Sequence, residues 1–200
     1  MKFIAINTAA PIIEIAVVYD EQVSAVKLEK VMAAERLLPT LDEMLDMLGL
    51  VLDDFDSFVC VTGPGSFTGI RIGINTVRSF AYALNKRVYG VTYDRVMAYN
   101  SSGKVVCVVE GGAGVCYVTA FDGEQVVCEP TCIYKKDLCG YLVKFSGYEV
   151  IADYAVEGAT TYNADGNSLI KAACYAIANK LDANPLYIRK AQPDRKENDI

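Results

Sequence analysis

A glycine-rich turn is the part of this sequence with the clearest chemical capacity. Residues 63–73 read Gly-Pro-Gly-Ser-Phe-Thr-Gly-Ile-Arg-Ile-Gly, directly after the apolar run 58–61 and ahead of a segment with helical spacing. A turn between a strand and a helix brings backbone N–H groups to one point, where an anion or a closely packed neighbour is accommodated. The turn therefore predicts either a phosphate-binding loop or a tightly packed structural turn.

Neither of the common nucleotide-binding motifs fits this turn. A Walker A loop needs lysine directly after its second glycine, and the residue after Gly69 is Ile70. A Rossmann fingerprint needs Gly-x-Gly-x-x-Gly, and Gly69 follows Gly65 one residue too late. Spacing alone therefore favours a structural turn against which a helix packs closely.

The other polar residues offer few catalytic groups. The chain has no histidine, which excludes Ser-His-Asp and Cys-His nucleophile pairs, zinc sites with histidine and histidine general bases. In nucleotide-hydrolysing folds that open with a strand pair, an acidic residue in the first turn holds the metal. Here that residue is Asn7, and an amide is a poorer ligand for a hard dication. Residues 111–114, Gly-Gly-Ala-Gly, indicate a hairpin connection with a weak capacity for phosphate.

Composition excludes further classes of protein. The seven cysteines contain no Cys-x-x-Cys pair and lie mostly in apolar segments, which predicts reduced core thiols rather than a zinc site or disulfides. The net charge of −6 opposes binding of a nucleic-acid backbone by this chain alone. The cations of the polar end predict a solvated terminus: Arg189, Lys190, Arg195 and Lys196. No apolar run approaches the roughly 20 residues that span a bilayer, and residues 1–7 turn polar too soon for a signal peptide, so we expect a cytoplasmic protein.

Hydrophobic periodicity predicts the elements that position these residues. The first half is expected to form β-β-β-α-β-α-β-α, with an antiparallel meander first, at residues 2–6, 12–19, 22–28, 34–48, 57–62, 68–84, 88–91 and 93–99. The second half is expected to open with a similar strand pair and to end in a helix, with elements at 104–109, 115–121, 125–128, 131–134, 136–144, 148–152 and 168–181. The similar openings predict a weak structural repeat, with a boundary near residues 100–103.

The second predicted helix carries a strip of glycines. Gly65, Gly69 and Gly73 recur every four residues and leave one side of the backbone bare. An interior glycine costs about 0.5–1 kcal/mol relative to alanine, so the strip predicts close packing, either within the chain or against a partner.

A row of polar residues occupies another side of this helix, at Arg71, Asn75 and Arg78. We read it as a solvated face whose cations could pair with the acidic side of the preceding helix, within the chain or across an interface. That acidic side is formed by Asp42, Glu43 and Asp46.

Four segments together resemble the bacterial TsaB (YeaZ) family. They are Asn7-Thr8, the run Glu-Arg-Leu-Leu-Pro at 35–39, the glycine turn at 63–73 and Pro-Leu-Tyr-Ile-Arg at 185–189. Their order and spacing agree along the first hundred residues, and the second half matches loosely apart from its end. The resemblance implies the actin-like ATPase (ribonuclease H-like) fold, an α/β architecture of two related lobes with mixed sheets. The N-terminal lobe would span 1–102 and a smaller C-terminal lobe 103–200.

The resemblance also implies a place in the complex that makes threonylcarbamoyladenosine in tRNA. There a TsaD-like subunit transfers the threonylcarbamoyl group, a TsaE-like protein is the accessory ATPase, and TsaB is the non-catalytic partner of TsaD. We therefore expect a scaffold rather than an enzyme, without catalytic, cofactor-binding or metal-binding residues of its own. ATP would bind only at the junction of the complex, and the chain would contact tRNA only through the complex. No membrane partner is expected. In isolation the chain would form a homodimer.

Three departures from the family pattern bear on this expectation. Asn7 stands where the family usually has aspartate, and Ala33-Ala34-Glu35 stands where it often has His-Ser-Glu. The paired histidines with which related catalytic members bind a metal are absent. The absent histidines and Asn7 agree with a non-catalytic role, and all three departures leave the fold intact.

Family dimers pack the two helices of the N-terminal lobe against the same pair in the partner. The resemblance therefore places the partner interface on apolar and small residues of these helices: Leu38, Leu41, Leu45, Gly69, Ile70, Gly73, Ile74 and Val77. A Gly73→Leu exchange is expected to abolish pairing with TsaD and to leave the monomer folded. Two other functions stay open. One is an ATP-dependent phosphotransferase on the same fold, dependent on Asn7 or Glu110, and the other is a tRNA-binding module, which the acidic charge disfavours.

Overall fold

A computed structural model describes residues 1–29 and 32–188 of the chain. The four cations predicted to form a solvated terminus, and the last residue of the 185–189 segment, lie outside the described residues. Within the described part of the chain, no helix is both long and apolar enough to cross a membrane.

The first sheet has five strands in the order β3-β2-β1-β4-β5. The strands are β1 (Lys2–Asn7), β2 (Ile12–Tyr19), β3 (Gln22–Glu29), β4 (Ser57–Val61) and β5 (Arg87–Val91). The antiparallel meander of β1, β2 and β3 is confirmed, and β4 pairs in parallel with both β1 and β5. Because β1 and β4 lie at the centre, they are buried almost throughout, which agrees with their continuous apolar runs.

Two long helices follow the strands as predicted. Helix α1 (Ala33–Leu48) ends at Gly49, whose φ of 67° gives the left-handed stop that glycine adopts without strain. Helix α2 (Phe67–Leu84) begins after Ser66, whose hydroxyl accepts a 3.2 Å hydrogen bond from the Gly69 N–H. The short helix α3 (Tyr93–Ala98) then leads to the second sheet.

The second sheet repeats the topology of the first. Its order is β10-β9-β6-β7-β8, and its strands are β6 (Lys104–Gly112), β7 (Val115–Asp122), β8 (Gln125–Tyr134), β9 (Glu149–Ala152) and β10 (Thr160–Thr161). Again three antiparallel strands are followed by a fourth that pairs in parallel with the first of them. The predicted repeat is therefore confirmed.

Two predictions about the second half were wrong in detail, and one strand was not predicted. The strands expected at 125–128 and 131–134 form one strand, β8, because it is an edge strand where Pro130 needs no ladder partner and where register shifts absorb the irregularity. The helix expected at 136–144 is reduced to α4 (Leu138–Leu142) between two 3₁₀ turns, since Gly140 lies in its middle. The two-residue strand β10 was not predicted.

The last helix, α5 (Asn167–Ala178), packs on the first sheet although it belongs to the second half of the chain. It contacts β1, β2, β4 and β5 as well as α3. One continuous core therefore joins residues of both sheets, such as Phe58 and Ile151. The boundary between the two sheets lies where it was predicted, but helix α5 from the second half packs on the first sheet. The division into domains 1–102 and 103–200 therefore stays a prediction. All seven cysteines are free, and three of them are buried.

Candidate functional site

A cleft of about 930 Å³ lies between the two halves of the chain. On one side it is lined by the β1–β2 turn, the start of α1 and the glycine turn before α2. The other side consists of the β6–β7 turn and Asp153, at the end of β9, and residues 186–188 complete the wall. The predicted glycine-rich segments at 63–73 and 111–114 are therefore brought to the same cavity.

The glycine turn packs on the β1–β2 turn without space between them. The Ser66 N–H donates to the Ala9 carbonyl at 2.7 Å, and the Thr8 hydroxyl donates to the Gly69 carbonyl at 2.7 Å. A Cβ on Gly73 would lie 2.5 Å from the Thr8 Oγ1. Side chains on Gly65 and Gly69 would collide with the backbones of Ala9 and Thr8. The glycine strip was predicted to pack either within the chain or against a partner. It packs within the chain.

Most of the residues predicted for the partner interface are buried within this chain. The exception is Leu38, which is 53% exposed. The other seven fill the chain's own interior: Leu41, Leu45, Gly69, Ile70, Gly73, Ile74 and Val77. The prediction that these seven form an exposed contact surface was wrong, because the apolar stripe of each helix is used to cover its own sheet. For the same reason, a leucine at position 73 would disrupt the monomer itself.

Both α1 and α2 nevertheless expose large apolar side chains. Tyr82 is 93% exposed and Met47 is 88% exposed, alongside Leu38. The acidic residues predicted on the other side of α1 are exposed as well: Asp42, Glu43 and Asp46. Since α1 and α2 contact each other, these side chains lie on neighbouring helices.

The two arginines of α2 do not pair with α1 among the described residues; both bond to the C-terminal segment. Arg78 donates to the Ala183 carbonyl at 2.9 Å and to the Asn184 side chain at 3.2 Å. The Arg71 guanidinium lies 3.9 Å from the Phe67 ring centroid, and its Nε donates to the Tyr187 hydroxyl at 3.3 Å. Arg71, Asn75 and Arg78 are all exposed, as predicted for a solvated face, and the two arginines also contact residues 183–187.

The Asn7 side chain is fully used in a buried hydrogen-bond network. Its Nδ2 donates to the Glu14 carboxylate at 2.7 Å, and its Oδ1 accepts from the Ala9 N–H at 3.0 Å. The Tyr162 hydroxyl also donates to Glu14, at 3.3 Å. Burial raises the pKa of Glu14, although both donors favour its charged form. Asn7 therefore has a structural role at the turn between β1 and β2.

Two carboxyl groups face the cleft from the second sheet. The Glu110 N–H donates to Asp153 at 2.8 Å, and the Glu110 side chain pairs with the Lys135 ammonium at 2.5 Å. Burial, together with the negative charge of the adjacent Glu110, raises the pKa of Asp153 to about 6, although the hydrogen bond from the Glu110 N–H favours its charged form. Asp153 is therefore the group in the cleft that is best placed to exchange a proton near neutral pH. Within the described residues, no three His, Cys, Asp or Glu side chains come together to hold a metal ion.

Sequence reasoning missed the buried acids Glu14 and Asp94 and the half-buried Asp153. Asp94 is buried and accepts from the Thr119 hydroxyl at 2.6 Å and the Arg95 N–H at 2.7 Å. Burial raises its pKa. A signal existed for Glu14, because it is the single charge within the apolar run 12–18. No comparable signal marked Asp153, whose role depends on a neighbour 43 residues away.

Comparison with known proteins yields both sequence and structural matches. A family model described as TsaD, tRNA N6-adenosine threonylcarbamoyltransferase, matches residues 32–181. The TsaB protein of Escherichia coli (strain K12), named for tRNA threonylcarbamoyladenosine biosynthesis, is 28% identical over 131 residues, which cover 62% of this chain and 57% of that protein. The TsaB protein of Haemophilus influenzae is 29% identical over 99 residues, covering 49% and 42% of the two chains. The chain thus spans about half the length of the curated relatives it matches.

Solved structures confirm the fold. YeaZ from Pseudomonas aeruginosa superposes with a TM-score of 0.74 at 19% identity, covering 93% of this chain and 99% of that one. A second Pseudomonas aeruginosa structure, described as similar to peptidase YEAZ, gives a TM-score of 0.75 at 20% identity and covers 94% of this chain and 99% of that one. Together with the repeated sheet topology, this similarity confirms the actin-like α/β fold with two related lobes.

Proposed function

Because this chain belongs to the protein family described as TsaD, tRNA N6-adenosine threonylcarbamoyltransferase, and TsaB proteins are among its relatives, we propose that it is a TsaB-type, non-catalytic partner of a TsaD-type subunit. In this role it supports threonylcarbamoyladenosine modification of tRNA by forming a heterodimer through the helices α1 and α2 of its first lobe.

The observation that carries the proposal is the exposure of apolar side chains on the outer faces of α1 and α2. The inner faces of both helices already cover the first sheet, so Leu38, Met47 and Tyr82 are not needed for the monomer's own core. Exposed aromatic and aliphatic side chains of this kind act as anchors in protein interfaces. The docking surface is therefore formed by these outer residues, and not by the buried stripes on the same helices.

The non-catalytic character is supported by the state of Asn7. An amide stands where a metal-binding carboxylate would be needed, and both of its polar atoms are occupied by Glu14 and the Ala9 N–H. The neighbouring carboxylate of Glu14 is itself buried and bonded to Tyr162. The side-chain oxygens of Asn7 and Glu14 are thus already engaged within the chain, which disfavours their use as magnesium ligands.

The remaining parts of the proposal concern the assembly. The chain binds no cofactor by itself, and ATP belongs at the junction with the catalytic subunit, where a TsaE-like ATPase also acts. The chain reaches tRNA only through the complex, because its net charge of −6 disfavours phosphate contacts of its own. In the absence of the catalytic subunit, the same outer faces of α1 and α2 pair two copies of the chain.

The test is reconstitution of tRNA modification with and without this chain, combined with co-elution from a sizing column. We expect the purified TsaD-type subunit to co-elute with the chain and to modify tRNA only when the chain is present. Full modification without the chain, or separate elution of the two proteins, would contradict the proposal.

A second function is favoured by Asp153 alone. A carboxyl group with a pKa of about 6 beside a cleft can accept the proton of a substrate hydroxyl, as an ATP-dependent phosphotransferase requires. Calorimetry of the isolated chain with ATP and magnesium distinguishes the two functions. Binding and turnover that disappear in Asp153→Asn would support the enzyme, and the absence of a binding signal would support the scaffold.

A further inference from the structure

The segment formed by residues 181–188, here called the strap, leaves the end of α5 and returns to the first sheet. It is anchored by two backbone hydrogen bonds, from the Gly90 N–H to the Leu181 carbonyl at 3.0 Å and from the Leu186 N–H to the Thr62 carbonyl at 2.8 Å. Gly90 belongs to the edge strand β5, and Thr62 directly follows β4. The strap therefore crosses the sheet at the carboxyl ends of its parallel strands.

The strap packs against two glycines, Gly90 and Gly63, which are here called its seat. A Cβ on Gly90 would lie 2.6 Å from the Ala183 Cα, and a Cβ on Gly63 would lie 2.8 Å from the Leu186 carbonyl oxygen. Real side chains do not approach backbone atoms so closely. The strap can therefore lie in its observed position only while these two residues lack side chains.

The strap is also fastened to α2 at two points. Arg78 bonds to the Ala183 carbonyl and to the Asn184 side chain. Near the start of the helix, the Tyr187 ring stacks on Phe67 with 4.7 Å between centroids. Both arginines that the sequence placed on the polar side of α2 thus hold the strap, and they act as positioning residues.

The end of the strap faces the cleft. Leu186, Tyr187 and Ile188 line the cavity, as does Phe67, on which Tyr187 stacks. One short segment therefore contacts both the helix proposed to bind the partner and the cavity between the two lobes. If the position of this shared segment differs between the bound and free states of one site, the two sites are energetically coupled, and the coupling is reciprocal.

We infer that the strap couples the cleft to the outer face of α2, so that docking of the TsaD-type subunit requires a seated strap and in turn holds the strap against the cleft. This inference rests on the proposed function, because it needs the partner. It adds a conformational element and two positioning arginines that the docking surface alone does not include.

The variant Gly90→Ala tests the inference, because the added methyl group would lie 2.6 Å from both the Ala183 Cα of the strap and the Thr62 Cγ2, and its nearest neighbours include no residue of α2. Gly90 has no left-handed φ, so alanine is conformationally tolerated there. The matched control is Gly103→Ala, where a new Cβ meets nothing within 4 Å. In Gly90→Ala we expect amide hydrogen exchange at Leu186 to accelerate at least tenfold, and the dissociation constant for the TsaD-type subunit to rise at least tenfold. Gly103→Ala should change neither.

In the wild-type chain, addition of the TsaD-type subunit should slow exchange at Leu186 at least threefold. A loosened strap with unchanged affinity would overturn the coupling, and unchanged exchange in Gly90→Ala would overturn the proposed seat. If Gly90→Ala does not fold, Ala183→Leu enlarges the strap residue that is opposite Gly90 and serves in the same experiment. Absence of any binding by the wild-type chain would instead overturn the proposed function, and this inference with it.

Discussion

The Asn7 side-chain amide donates a 2.7 Å hydrogen bond to the Glu14 carboxylate across the first two strands. The two residues are opposite each other in the β1–β2 register, and both are buried. Position 7 is where the resemblance to the TsaB family implies an aspartate. In this chain, an aspartate there would face a second buried carboxylate with no donor between them.

Asn7→Asp should therefore destabilise the fold. Loss of the amide donor and repulsion between two buried carboxylates should lower the free energy of unfolding at pH 7.5 by about 1–3 kcal/mol. At pH 5 the loss should be smaller, because the two carboxyl groups can share a proton. Urea unfolding at both pH values measures the effect. The exposed Asn75→Asp on α2 is the control, and an equal loss in both variants would contradict the structural role of Asn7.

Gly73→Ala should destabilise the chain only while Thr8 keeps its hydroxyl group. The new Cβ would lie 2.5 Å from the Thr8 Oγ1, whereas the Thr8 Cβ is 3.8 Å away. We expect a loss of about 1–3 kcal/mol in the wild-type background, and little loss in Thr8→Ala, where alanine's better helix propensity is released. A double-mutant cycle by denaturant unfolding measures this coupling. Additive effects would show that the glycine strip does not pack on Thr8.

The glycine strip also shows how far sequence reasoning reaches. Helical spacing and the cost of interior glycine correctly predicted close packing at Gly69 and Gly73. They could not identify the neighbour, because Thr8 lies 61 residues from Gly69 and the contact depends on how the sheet is assembled. The same limit explains the error about the apolar stripes. An amphipathic helix has one apolar face, and periodicity does not say whether that face covers its own sheet or a partner.

The order of elements was easier to predict than their interruptions. Strands β1 and β2 are short apolar runs, β3 alternates with period 2, and helices α1 and α2 have period 3.6. All five were placed within about two residues. Around α4 the local pattern is helical, but Gly140 weakens the helix and no long apolar face holds it. The seat of the strap was not predictable, because Gly90 and Ala183 are brought together only by the tertiary fold.

Asp153→Asn should change the pH dependence of stability. The pKa of Asp153 is raised in the folded state, from 3.8 to about 6. Its favourable contribution is therefore fully present below about pH 4 and is lost as the pH rises through about 6. The variant should be more stable than the wild type at pH 7.5, by about 1–3 kcal/mol since one pKa unit corresponds to about 1.4 kcal/mol.

At pH 4 the advantage of Asp153→Asn should disappear. The asparagine oxygen can still accept the Glu110 N–H, so the backbone contact is retained. Thermal or urea unfolding between pH 4 and 8 measures the effect, with the exposed Asp46→Asn as control. If the stability difference between Asp153→Asn and the wild type did not change between pH 4 and 8, or changed no more than that of Asp46→Asn, the raised pKa assigned to Asp153 would be contradicted.

Tyr82→Asp should abolish pairing with the TsaD-type subunit and leave the monomer intact. Tyr82 is 93% exposed, so the monomer loses almost no packing, whereas an interface anchor replaced by a charge typically costs about 2 kcal/mol or more in binding. Val143→Asp is the matched control, because Val143 is 74% exposed but belongs to the second half of the chain. Titration calorimetry of each variant with the TsaD-type subunit measures the affinity, and unfolding by urea verifies the monomer. Equal affinities for Tyr82→Asp and Val143→Asp would show that the docking surface does not include the exposed side of α2. The same comparison of Leu38→Asp with Val143→Asp then tests α1.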